Sequence, residues 1–133
     1  MSFYERVGGE ATFEKLTRVF YEGVKDDPIL KPMYPEEDLG PAERRLRMFL
    51  EQYWGGPDTY QQERGHPRLR MRHFEFKINP AAKAAWLDHM AKAVESLELS
   101  PLDRAELWDY LERAATAMLN TFEDQIAPTL ART

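Results

Sequence analysis

Glycine and proline divide this chain into four segments with helical periodicity. Within each segment apolar residues recur every three or four positions, as they do on the buried face of an amphipathic helix. The letters "GGP" at 55–57 end the second segment. The pairs "NP" at 79–80 and "SP" at 100–101 place a capping residue before a proline, which is typical of a helix start. The sequence therefore predicts an all-α fold.

The apolar faces of the four predicted helices supply the candidate core. The first helix lies between Gly9 and Pro28, and the second begins at Pro41. The residues expected to point inward are Phe13, Leu16, Phe20, Val24, Leu46, Phe49, Leu50, Tyr53, Trp86, Met90, Val94, Leu97, Leu107, Leu111, Met118, Leu119 and Phe122. A length of 133 residues fits one domain, 1–133, built around one core.

Composition excludes several classes of function. The net charge of −5 disfavours general attraction to nucleic acid or to anionic lipid. Cysteine is absent, which removes disulfides, thiolate metal sites, thiol nucleophiles and covalent haem attachment. No apolar run is long enough to insert in a membrane, and the start "MSFYERVGGE" lacks the apolar core of a secretory signal. We therefore expect a cytoplasmic protein.

Cationic residues gather in one segment of this acidic chain. The segment "RGHPRLRMRHFEF" at 64–76 holds four arginines and two of the three histidines, His66 and His73. Three interpretations compete: a solvated basic loop, a nucleic-acid contact, or a site where a histidine meets an anionic cofactor. A lone histidine beside arginines is most often an ordinary surface residue.

The third interpretation has a specific chemistry at His73. Neutral imidazole is a good axial ligand for haem iron, and Phe76 and Ile78 provide apolar side chains nearby to contact the porphyrin. The two haem propionates need cations, and the planar guanidinium of arginine binds a carboxylate with two parallel hydrogen bonds. A haem site would explain why arginines cluster here.

Three aromatic residues elsewhere carry hydrogen-bond donors. Tyr21, Tyr34 and Trp86 lie on or beside apolar faces, so each donor needs a partner once it is buried. For any one of them, a core aromatic that donates to a backbone carbonyl is the simpler interpretation. Together with a distant histidine they are typical of a gas-binding pocket.

Several ordered segments resemble the truncated haemoglobins, and most closely their group II, over nearly the whole chain. These segments are "VGG" at 7–9, "FY" at 20–21, "YPEEDL" at 34–39, "RLRMFLEQYWGGP" at 45–57, "RGHPRLRMRH" at 64–73, and Trp86. The resemblance implies a shortened globin fold, a two-over-two helical sandwich around haem b. It also implies that the long polar stretch before His73 is a feature of the family.

The resemblance assigns roles to individual residues. It makes His73 the proximal iron ligand and places Tyr21, Tyr34 and Trp86 at the polar positions on the distal, ligand-binding side. Ala42 falls where many globins carry a distal histidine, so no such histidine is expected.

The cofactor contacts implied by the same resemblance are Leu46, Phe49 and Leu50 as apolar neighbours and Arg45 and Arg72 near the propionates. Phe76 and Ile78 complete the expected apolar contacts. One departure is "NP" at 79–80, which stands where some relatives carry a glycine pair.

The expected function is reversible binding of O2 and other diatomic ligands, such as CO and NO, at ferrous haem iron. A haem enzyme with the same pocket, either a peroxidase or an NO dioxygenase, is one alternative, for which a reductase is a candidate partner. A cofactor-free helical interaction module is another. Of the other histidines, we expect His66 to lie in an exposed turn and His89 to meet solvent on the flank of its helix.

Overall fold

The computed structural model describes residues 1–66 and 78–119. Six α-helices lie within them: α1 (Phe3–Arg6), α2 (Glu10–Val24), α3 (Gly40–Tyr53), α4 (Thr59–Arg64), α5 (Pro80–Glu95) and α6 (Pro101–Ala117), with a 3-10 turn at Lys31–Met33. These two ranges contain no strand, and the all-α prediction is confirmed. None of the helices in them is long and apolar enough to cross a bilayer.

The helices pack as two pairs. Helix α2 lies against α3, and α5 lies against α6. The largest contact, between α2 and α5, joins the two pairs, while the short α4 packs on α3. This arrangement is the expected two-over-two sandwich.

Local sequence signals set the helix ends where they were predicted. The side-chain carbonyl of Asn79 accepts a hydrogen bond from the N–H of Ala82 at 2.8 Å, and the hydroxyl of Ser100 accepts one from the N–H of Asp103 at 3.2 Å. After α3 the chain turns at Gly55, whose φ of 96° favours glycine. Proline in the first turn of α5 and α6 leaves no helical hydrogen bond unmade.

Most of the predicted inward residues form one buried core. The members that are at most 5% exposed are Phe13, Leu16, Phe20, Val24, Leu50, Met90, Val94, Leu107 and Leu111. Tyr53 was wrongly assigned to it: half of its side chain is exposed, because its ring stacks on the outer side of Tyr110 at 4.0 Å between centroids. Met118 and Leu119 are partly buried after the end of α6, and Phe122 lies outside the described residues.

Hydrophobic periodicity did not predict two short helices. Helix α1 is a single turn closed by a capping box, in which the Ser2 hydroxyl accepts from the Glu5 N–H and the Glu5 carboxylate accepts from the Ser2 N–H. Helix α4 is held by tertiary contacts: Arg44 forms two 2.8 Å bonds to the Glu63 carboxylate. Neither helix is long enough to show a periodic apolar face.

Candidate functional site

A buried tyrosine and a partly buried tyrosine meet between α2 and the segment that follows it. Tyr21 projects from α2 and is 7% exposed, and Tyr34 follows the 3-10 turn. Their hydroxyl oxygens lie 3.3 Å apart, and their rings meet edge to face with centroids 5.7 Å apart. Either hydroxyl is able to donate to the other. Since only one of the two hydrogens is used in this bond, the pair retains a second O–H for a ligand.

Burial keeps both hydroxyls protonated. It raises the pKa of Tyr21 well above its ordinary value, and the neighbouring Tyr34 raises it further. Burial also raises the pKa of Tyr34, although the hydrogen bond with Tyr21 and the charge of Arg45 partly offset this. At neutral pH the pair is therefore a source of hydrogen-bond donors and carries no charge.

Phe20 connects the tyrosine pair to Trp86. The Phe20 ring meets the Tyr21 ring edge to face at 4.9 Å and the Trp86 ring at 5.5 Å between centroids. Within the part of the chain that the structure describes, no hydrogen bond from the indole N–H of Trp86 to a protein acceptor is found. Phe20 was predicted only as a core residue. Its contacts show that it also sets the spacing between donors on α2 and α5.

Three of the expected apolar cofactor contacts are partly buried. Leu46, Phe49 and Ile78 are partly buried and pack against the core. Phe49 turns toward Tyr53 and Tyr60, with ring centroids 6.5 and 5.6 Å away. Leu50, another expected cofactor contact, is 1% exposed and belongs to the core cluster.

Arg45 lies near the tyrosines. Its guanidinium is 3.3 Å from the Glu36 carboxylate, and its charge lowers the pKa of both Tyr21 and Tyr34. The side chain is about one-third exposed, so it reaches solvent and the pocket together. Glu36 belongs to the "PEED" stretch at 35–38 and is the carboxylate partner of this arginine.

The two described histidines behave differently. His66 is exposed, as expected. The expectation that His89 meets solvent is wrong: its side chain is 16% exposed, and its Nε2 lies 2.6 Å from an oxygen of Asp27 on the other side of the α2–α5 contact. No local signal links two residues 62 positions apart.

Three predicted site residues, Arg72, His73 and Phe76, lie outside the described residues. Of the others, the structure brings together Tyr21, Tyr34 and Arg45, and Phe20 joins this group to Trp86. Phe49 lies instead with the aromatic side chains of α3 and α4.

Comparison with known proteins identifies the family. The sequence profile of the bacterial-like globins matches residues 2–120. The chain is 41% identical over 120 residues to group 2 truncated hemoglobin YjbI of Bacillus subtilis (strain 168), a match covering 90% of this chain and 89% of that one. This chain is a group II truncated haemoglobin.

Solved structures agree with this assignment of the truncated haemoglobin. A thermostable hemoglobin from the actinobacterium Thermobifida fusca is 61% identical with a TM-score of 0.91, over 92% of this chain and 100% of that one. A truncated oxygen-avid haemoglobin from Bacillus subtilis is 40% identical with a TM-score of 0.84, over 90% of this chain and 100% of that one. The protein is therefore a haem-binding globin with the shortened globin fold.

The described side chains of this truncated haemoglobin fit that cofactor. A porphyrin plane needs apolar contacts at its faces, which Leu46, Phe49 and Ile78 offer. A ligand on the iron needs neutral donors, and the tyrosine pair and the indole of Trp86 provide hydroxyl and N–H groups without a buried charge.

Proposed function

We propose that this truncated haemoglobin reversibly binds O2 and other diatomic ligands, such as CO and NO, with haem b as its cofactor. Ferrous haem supplies the iron that takes the ligand. One observation carries the proposal. Tyr21, Tyr34 and Trp86 supply neutral hydrogen-bond donors, and the Phe20 ring contacts the rings of both Tyr21 and Trp86. The oxygen-avid haemoglobin of Bacillus subtilis, with its similar fold, supports it.

The donors act by meeting charge that the ligand acquires. O2 becomes partly negative when ferrous iron binds it, and hydrogen bonds fixed in advance stabilise such charge. Ala42 is buried and has no side-chain donor, while His66 is exposed and His89 is paired with Asp27. Among the predicted site residues that the structure describes, the hydroxyl pair and the indole N–H of Trp86 are the donors available to the ligand.

His73 is the proximal iron ligand in this proposal, as the family resemblance implies. Arg45 and Arg72 hold the propionates, and Phe76 and Ile78 contact the porphyrin. The partly buried position of Ile78, five residues after His73, supports an apolar boundary there. The chain acts as one domain, 1–133, which the buried core of the described residues supports. We place it in the cytoplasm.

Spectra of the purified protein test the proposal. We expect a Soret band and a reduced-minus-oxidised spectrum that changes on addition of CO. His73→Ala should lose haem or bind it loosely, with partial recovery of the spectrum in imidazole, whereas His66→Ala should keep it. A colourless protein that takes up no added haemin would favour the interaction module. Loss of haem in His66→Ala with normal retention in His73→Ala would mean that the ligand is His66.

A further inference from the structure

A carboxylate at the end of α2 organises the segment that leads to Tyr34. One oxygen of Asp27 accepts hydrogen bonds from the backbone N–H groups of Ile29 at 2.7 Å and Leu30 at 2.9 Å. The other oxygen lies 2.6 Å from Nε2 of His89. Asp27 and His89 are 12% and 16% exposed, so water competes little for this bond.

Backbone bonds continue from Asp27 to Tyr34. The N–H of Lys31 donates to the Asp27 carbonyl at 3.0 Å, and the N–H of Tyr34 donates to the Lys31 carbonyl at 3.1 Å. Leu30 anchors the middle of the segment in the core at 5% exposure. A displacement of Asp27 is therefore transmitted through two hydrogen-bonded turns to the hydroxyl that faces Tyr21.

The outer side of this segment gives Tyr34 little support. A cleft of about 390 Å³ lies there, open to solvent and lined by Asp27, Lys31, Tyr34 and Pro35 among others. The Tyr34 ring is consequently held by its contact with Tyr21 on the inner side. Its position also depends on the bond from Asp27, at the start of the segment, to His89 on α5.

Gly23 makes room for the histidine on the surface of α2. A Cβ at this position would overlap the His89 ring, and the backbone of Gly23 is ordinary helix. His89 comes three positions after Trp86, so the two side chains lie on neighbouring faces of α5. The bond from His89 to Asp27 therefore joins the helix that carries Trp86 to the segment that carries Tyr34.

We propose that Asp27 and His89 are positioning residues, which hold the hydroxyl of Tyr34 in register with Tyr21 and Trp86 and thereby slow the release of O2. This inference rests on the proposed function of the pocket. It assigns neither residue a contact with the ligand or the cofactor.

Variants of His89 separate the hydrogen bond from the bulk of the ring. In the haem-loaded protein we expect His89→Leu to speed O2 release about three- to tenfold, the range expected when a donor is misplaced but not removed. CO release should change less. The Fe–CO stretching frequency should fall, because fewer donors then face the CO oxygen. His89→Gln keeps an N–H for Asp27 and should restore most of both properties, and Asp88→Ala, which removes an exposed neighbouring charge, should match the wild type.

Amide hydrogen exchange provides a readout that needs no ligand. In His89→Leu, the N–H groups of Ile29 and Leu30 should exchange about tenfold faster than in the wild type, since the carboxylate that accepts them is no longer held. Gly23→Ala should give the same change by displacing the ring. If the protein as purified bound no haem, the proposed function would fail, while the exchange rates would still decide whether the pair holds the segment.

Three results would overturn the inference. Unchanged exchange at Ile29 and Leu30 in His89→Leu would show that the pair does not hold the segment. A lower melting temperature with an unchanged Fe–CO frequency would make it a purely structural contact. Equal losses in His89→Gln and His89→Leu would assign the effect to packing of the ring and not to its bond with Asp27.

Discussion

Replacing Trp86 by phenylalanine removes one hydrogen-bond donor and keeps an aromatic ring. In the wild type the indole packs edge to face on Phe20, 5.5 Å between centroids, and a phenyl ring is able to keep this contact. No acceptor among the described residues uses the indole N–H, so its loss leaves no protein group unpaired. The change therefore acts on the ligand with little other disturbance of the pocket.

The size of the effect follows from the charge on the ligand. A hydrogen bond to a neutral acceptor contributes about 0.5–1.5 kcal/mol, and one to a charged acceptor about 1.5–3 kcal/mol. Bound O2 is partly charged, so its bond should fall between these ranges. Because each 1.4 kcal/mol corresponds to about a tenfold change in rate, we expect O2 release to accelerate roughly ten- to hundredfold. CO acquires far less charge and should respond much less.

Stopped-flow displacement measures both rates, with CO replacing O2 and NO replacing CO. Trp108→Phe is a matched control, since Trp108 is also partly buried against the core and lies on α6. We expect this control to leave both rates near the wild-type values. Acceleration of O2 and CO release by the same factor in Trp86→Phe would refute the donor assignment and make Trp86 a steric gate.

Three further variants probe the rest of the pocket and the core beside α6. Arg45→Ala should speed haem transfer to a scavenger by up to about fivefold, because an exposed ion pair contributes only about 0–1 kcal/mol, and Arg113→Ala, at an exposed ion pair on α6, should not. If Arg45→Ala speeds O2 release more than it speeds haem transfer, this arginine lies on the ligand side. Tyr21→Phe should speed O2 release less than the loss of the indole, since the Tyr34 hydroxyl stays available; a larger effect would make Tyr21 the main donor. Burial raises the pKa of Tyr110 to about 12, so the folded state holds this proton more tightly than the unfolded chain. Its contribution to the free energy of unfolding is complete below about pH 10 and should be lost between about pH 10 and 12, which urea titrations of the wild type and Tyr110→Phe would detect as a shallower decline in the variant.

Features of the fold that depend on a few neighbouring residues were predictable. The caps at Asn79 and Ser100 and the turn at Gly55 act within one helical turn, so the sequence nearby contains the whole interaction. Helix α4 was not predictable in this way. Its six residues are too few to form a stable helix alone, and they are held by the bonds from Arg44 to Glu63 and by Gln52, whose side-chain oxygen accepts from the Gln61 N–H at 2.9 Å.

The candidate site was likewise predictable from the sequence only in part. Residue type and helical position were enough to single out Tyr21, Tyr34 and Trp86 as donors beside apolar faces. Helical periodicity gives only the direction of a side chain from its own axis, and it placed His89 on a flank. Whether such a flank meets water depends on the neighbouring helix. Gly23 of α2 has no side chain, so the His89 ring reaches the carboxylate of Asp27, 62 positions earlier in the chain.

Arg45 shows why the electrostatics of this pocket follow from the fold and not from composition. From the sequence, Arg45 was expected only as a partner for the propionates. In the folded chain its charge lowers the pKa of both pocket tyrosines, against the raising effect of burial, while Glu36 neutralises part of that charge at 3.3 Å. Burial is the larger effect at both hydroxyls, so they stay protonated donors at neutral pH. The cation offsets part of the effect of burial, so each O–H is more acidic than burial alone would make it.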